Sequence, residues 1–153
     1  MKRTLFAALV IAASLPLAAL AQSSMGVQPE AVKWVPAPPI FPAGAQIAVL
    51  KGDPSKDGLY VLRLKVPAGY KVPAHTHPQE ENITVISGSI NLGMGAKLDE
   101  GKAEKFKTGA LTGAAKGMQH FAFFTEDTVI QIHGLGPQTI NYVDPADDPR
   151  TKK

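Results

Sequence analysis

GYKVPAHTHPQEENITVISG, residues 69–88, places His75, His77 and Glu81 within seven residues and a glycine at each end of the run. Neutral imidazole and carboxylate are the natural ligands of a divalent transition metal. His75 and His77 are two apart, so on a strand both rings leave the same face. The turn-like Pro78-Gln79-Glu80 lets Glu81 reach back from the next strand. Glu80 and Glu81 are adjacent and point to opposite faces of a strand, so only one of them can serve the site. The pattern predicts a metal site on a β scaffold and leaves open what the metal acts on.

A second stretch extends the set. Residues 109–124 read GALTGAAKGMQHFAFF, with His120 at the head of an apolar, aromatic segment expected to be a strand. Three imidazoles and one carboxylate make four ligands. An octahedral ion would keep two positions for water, dioxygen or a bidentate substrate, whereas zinc would be more nearly closed.

These residues carry a family resemblance. The spacing Gly69-x5-His75-x-His77-x3-Glu81-x6-Gly88 resembles the first motif of the cupin superfamily at every defining position. The second motif, G-x5-P-x-G-x2-H-x3-N, is matched by Gly109, Gly117 and His120, while Ala115 replaces its proline and Phe124 its asparagine. The resemblance implies that His75, His77, Glu81 and His120 ligate one divalent transition metal inside a small antiparallel jelly-roll barrel. Glu81, not Glu80, fits the distance to Gly88. Fe(II) or Mn(II) is the preferred ion, with Zn, Ni and Cu as alternatives. Metal-dependent oxidoreductases, isomerases and decarboxylases are the implied activities.

Working outward, the N-terminus reads as a targeting segment. Lys2 and Arg3 precede an apolar run over residues 5–20, and Ala19-Leu20-Ala21 supplies a small-x-small pattern, so residues 1–21 are expected to be a signal peptide cleaved after Ala21. The alternative is an uncleaved anchor, against which the short run and Pro16 argue. Cleavage would leave 132 residues and lower the net charge from +3 to +1, since the leader holds two basic residues and no acid. That length suits one domain. The chain has no cysteine, which excludes a thiolate ligand, a cysteine nucleophile and disulfides. No basic patch with interleaved aromatics points to nucleic acid, and no other segment approaches a membrane span. The expected compartment is the periplasm, with secretion as the alternative.

Residues 22–45 are rich in proline and read as an extended arm anchored by Trp34, Ile40 and Phe41. It would lie over the barrel or on a neighbouring subunit of a homodimer, with a disordered linker as the alternative. Residues 46–143 read as successive short strands: 46–50, 59–66, two pieces of 82–94 divided at Ser87-Gly88, 118–124, 128–133 and 139–143. Residues 97–107 are expected to form a surface hairpin, and 144–153 a charged, proline-broken and poorly ordered tail. The expected fold is all-β, a cupin-type antiparallel jelly-roll β-barrel with a proline-rich N-terminal arm.

Alternation places further candidates. Leu62, Leu64 and Val66 share one face, with Arg63 opposite and solvated. Phe124 shares the His120 face and is assigned to the pocket, while Phe121 and Phe123 pack on the other side. Met94 and Met118 read as packing residues, and the direction of Tyr70 is open. His133 is a candidate catalytic acid or base, or else a strand-end histidine at the rim. Gln131 shares its face and is the other pocket candidate. Three functions follow: a dioxygenase-like, metal-dependent oxidoreductase acting on a small chelating oxygenated molecule; a non-catalytic small-ligand or metal-binding module; and a barrel stabilised by structural metal. Whether a polar group besides the ligands points into the barrel discriminates among them.

Overall fold

The computed structural model describes residues 26–152. The leader and residues 22–25 of the arm lie outside the described residues.

Alternation organises the core. In β3 (Gly58–Val66), Tyr60, Leu62, Leu64 and Val66 are buried, while Arg63 is half-buried and Lys65 exposed. β10 (Thr128–Gly136) runs antiparallel beside it and sets Ile130 opposite Leu64 and Ile132 opposite Leu62. β5 (Glu81–Ser87) flanks β10 on the other side, with Val85 opposite Ile130 and Ile83 opposite Ile132. Branched aliphatic side chains in cross-strand pairs fill one face of a pleated sheet, and each full burial is worth about 1.5–3 kcal/mol. This ladder is the middle of a six-stranded sheet. β1 (Val35–Pro36) and β2 (Gln46–Lys51) complete it beyond β3, and β8 (Leu111–Ala114) beyond β5.

The second sheet has the order β11 (Asn141–Tyr142), β4 (Lys71–Thr76), β9 (His120–Phe123), β6 (Ser89–Met94) and β7 (Ala103–Lys107). All pairings are antiparallel. Val72, Ile90, Leu92, Ala122 and Phe124 face the first sheet's ladder and join it in one core. From β3 to β6 the chain alternates between sheets, as a jelly roll does. The crossing from β5 to β6 turns on Gly88, at φ 75°, where a Cβ would lie 2.6 Å from the Asp127 carbonyl oxygen and from Thr128 Oγ1. The closing glycine of the motif is therefore required by conformation and by space.

The arm folds onto its own barrel. Val35 pairs with Ile47 and Pro36 with Gln46, and the Trp34 ring lies 6.0 Å from Lys65 Nζ. Tyr70 Oη donates to the Pro42 carbonyl at 2.7 Å, and Tyr142 Oη to the Ile40 carbonyl at 2.8 Å, so residues 38–42 form a strap. Three expectations need revision. Residues 97–107 form a capped 3-10 turn, Glu100–Lys102, followed by the single strand β7, because Asp99 captures the Gly101 N–H. The tail is not poorly ordered throughout: Asp144 and Asp148 cap 3-10 turns at Pro145–Asp147 and Pro149–Thr151. Met94 and Met118 are exposed instead of packed.

Candidate metal centre

Three strands bring the histidines together. β9 sets His120 opposite His75 of β4, and β11 pairs Tyr142 with His75 on the other side. His77 follows β4 directly. All three rings are buried, and each offers one nitrogen to a common point, these atoms lying within 4.8 Å of one another. The Nδ1 atoms are tied to backbone carbonyls: His75 to Pro73 at 2.7 Å, His77 to Thr139 at 2.6 Å and His120 to Met118 at 2.9 Å. With Nδ1 protonated and donating, each ring keeps a bare Nε2 lone pair for a metal. The Nε2 atoms of His77 and His120 are buried with no hydrogen-bond partner, which the cavity's aliphatic walls cannot supply. The donor set fits a transition metal ion, and the three histidines could hold one.

Glu81 opens β5 and brings its carboxylate beside two of these nitrogens, with Oε2 3.5 Å from His77 Nε2 and 3.6 Å from His120 Nε2. Glu81 is 8% exposed, whereas Glu80 is exposed to solvent, as opposite parity requires. Burial alone would raise the Glu81 carboxyl, but His120 and His77 hold it well below the usual carboxylate range. Burial also opposes charge on His77, yet Glu81 and the Thr139 carbonyl lift its pKa above the ordinary imidazole value. His75 is pushed down to about 3, first by burial and then by the neighbouring imidazoles of His120 and His77, which keeps it neutral and ready to ligate.

The rings stand in the wall of a cavity of about 240 Å³ between the sheets. Its lining is mainly aliphatic, with Leu62, Leu64, Ile83, Ile90 and Leu92 from the core and Ile40 and Phe41 from the strap. Phe124 lines it, with Ala122. Phe121 and Phe123 lie on the opposite face of β9, where the Phe121 ring covers Gly93 so closely that a Cβ there would clash.

Gln131 and His133 do not enter the cavity. Ile130 and Ile132 take the inward positions of β10, and parity turns both polar residues to the outer face. Gln131 Oε1 there accepts from Arg63 Nε at 3.2 Å. His133 does not end its strand, which continues to Gly136, and it lies between Val61 and Asn82. These positions argue against pocket roles for both residues, because the apolar isoleucines prefer the dry face.

Four polar residues that do line the cavity were missed: Ser55, Tyr60, Gln138 and Thr139. Tyr60 was readable, since it shares parity with Leu62 and Leu64. Gln138 lies in the connection between β10 and β11, where no period applies. The Tyr60 phenol is pushed up to about 12, first by burial and then by Glu81, so it stays protonated.

The fold and the convergent histidines define a cupin-type barrel. The family model of the ChrR cupin-like domain matches residues 22–139, and the chain belongs to that family. No curated protein matches the sequence. Among solved structures, the polyketide cyclase RemF from Streptomyces resistomycificus is 21% identical over 81% of this chain and 88% of its own, with a TM-score of 0.63. A candidate acetylacetone dioxygenase from Methylibium petroleiphilum PM1 is also 21% identical, over 84% and 86%, with a TM-score of 0.63. An RmlC-like cupin from Shewanella frigidimarina NCIMB 400 is 13% identical over 76% and 93%, with a TM-score of 0.57. At these identities the likeness is one of fold.

Proposed function

We propose that this protein is an exported, mononuclear metal cupin that takes a small, largely apolar, metal-chelating oxygenated molecule into its barrel and acts on it as a dioxygenase-like oxidoreductase. The observation that carries the reading is the convergence of three bare Nε2 lone pairs on the wall of an aliphatic cavity. Glu81 is proposed as the fourth ligand. Fe(II) or Mn(II) is the preferred ion, which when bound supplies Lewis acidity and open positions for a chelate or dioxygen. A dication with one carboxylate ligand keeps one positive charge, and among the described residues no lysine or arginine lines the cavity. The site therefore suits a chelate that binds as a monoanion, such as an enolate. The names polyketide cyclase and acetylacetone dioxygenase, borne by two similar structures, support ketone-bearing molecules as the class. The aliphatic walls and the strap keep bulk water away.

A binding role without turnover is the second reading. It is favoured by a lining whose titratable side chains, among the described residues, are the proposed ligands and one phenol. Export and the periplasmic location rest on the pattern of residues 1–21.

Metal analysis of protein from the periplasm of its native source tests the proposal. The expected result is a chain beginning at Gln22 with one iron or manganese, a metal spectrum that shifts with acetylacetone, and oxygen uptake with a chelating ketone. A perturbed spectrum without turnover would favour the binding module. Zinc that no chelator perturbs, or no metal, would overturn the catalytic reading.

A further inference from the structure

Buried polar atoms without partners are costly, at about 1–3 kcal/mol each. Among the described residues six side-chain atoms are in this condition, and five belong to residues lining the one cavity: His77 Nε2, His120 Nε2, Tyr60 Oη, and both Oε1 and Nε2 of Gln138. The two imidazole nitrogens are accounted for by the metal reading. The phenol and the amide are not: they lie close enough for Gln138 to act on the Tyr60 phenol, yet neither completes a well-formed hydrogen bond with the other. Phenylalanine and leucine would fill the same space without the penalty, so the polar atoms need a guest.

Both groups are built in. Tyr60 is fully buried on β3, opposite Gly134 of β10. A Cβ at Gly134 would lie 2.8 Å from the Glu80 carbonyl oxygen, too close to fit, and 3.5 Å from Tyr60 Oη, so the glycine is required by the Glu80 backbone and the phenol lies in contact range of it. Gln138 is fixed by its backbone N–H, which donates to the Pro54 carbonyl at 2.7 Å. Its neighbour Thr139 holds His77 Nδ1. Gln138 is thus tied by backbone to the metal wall.

We infer that Tyr60 and Gln138 form a second recognition point, which binds a neutral carbonyl or hydroxyl oxygen carried by the ligand away from its chelating atoms. A phenol donates, and an amide both donates and accepts. A carbonyl can accept from both, and a hydroxyl can accept from Tyr60 while donating to Gln138. Among the described residues no lysine or arginine lines the cavity, so a second anionic group is disfavoured. The ligand class becomes a compact apolar body with a chelating oxygen pair and one further uncharged oxygen. This rests on the chelating reading given above.

The test uses two probes, kojic acid and allomaltol, which share a chelating hydroxy-ketone ring and differ by one hydroxyl on its far side. Binding to the iron-loaded full chain is measured by calorimetry. The expected preference for kojic acid is about tenfold, the size of one well-placed hydrogen bond. It should fall to near unity in Tyr60→Phe and Gln138→Leu, with allomaltol affinity and metal content unchanged. Equal affinities in the native protein, or a preference kept in both variants, would overturn the second recognition point while leaving chelation standing. If neither probe perturbs the metal, the chelating reading fails first and this inference falls with it. A metal-independent measurement gives a separate check. Relieved of an unpaired hydroxyl, metal-free Tyr60→Phe should melt about 2–4 °C higher. A lower melting temperature would show that the hydroxyl already has a structural partner, and would refute the proposal.

Discussion

On one side of the cavity three imidazoles stand on or beside paired strands, each with its Nδ1 tied to a backbone carbonyl. Elsewhere in the lining, residues 38–42 run outside any strand and are held by two tyrosine hydroxyls, Tyr70 on Pro42 and Tyr142 on Ile40. The first wall presents ligand atoms in fixed directions because sheet pairing has already ordered the backbone beneath them. The second can shift at the cost of a few single bonds. The same cavity therefore combines a face ordered by sheet pairing with a segment held mainly by side-chain bonds, and the two should respond differently to substitution.

The largest effect should come from the metal face. His75→Ala, His77→Ala or His120→Ala each removes one donor from a set whose members lie within 4.8 Å of one another. Metal content, measured by elemental analysis after dialysis, should fall from one ion per chain to a small fraction in every case. Full retention in all three variants would break the contrast at its root. The carboxylate is a finer probe. Glu81→Gln keeps shape and loses charge, and competition titration should show metal affinity weakened by about 10–100-fold, at least the loss seen for groups that only support a ligand. Glu80→Gln should leave affinity unchanged, because Glu80 faces solvent. The reverse result would move the fourth ligand by one residue.

How much of this was legible in the sequence follows from range. The metal face is encoded locally: period-two spacing sends His75 and His77 the same way, and the glycine-bracketed motif separates Glu81 from Glu80. The strands of the inner ladder were equally readable, since Leu62, Leu64 and Val66 announce their face. His133 and Gln131 show where local reading stops. Their parity was clear, but which parity faces inward depends on Ile130 meeting Leu64 and Val85 across two strand pairs. Gln138 lies beyond any period, and its direction is set by the Pro54 carbonyl far away in sequence. The strap likewise depends on two tyrosines well downstream of it.

Tyr142 is where the two walls meet. Its backbone pairs with His75, its ring centroid lies 6.1 Å from that imidazole, and its hydroxyl holds the Ile40 carbonyl of the strap. Burial, then Asp148, pushes the phenol up to about 12, so it remains a donor at neutral pH. Tyr142→Phe keeps the ring beside His75 and removes only the strap bond. One such bond contributes about 0.5–1.5 kcal/mol, which should lower the melting temperature by about 2–4 °C. Metal affinity should not change, since no ligand or ligand-holding carbonyl is touched. Stopped-flow mixing of the metal-loaded variant with a chelating ketone should show faster entry and release, by a fewfold each, with a nearly constant ratio. Slower entry, or a loss of metal matching the histidine variants, would show that the strap and the metal face are one rigid unit and that the contrast between them is false.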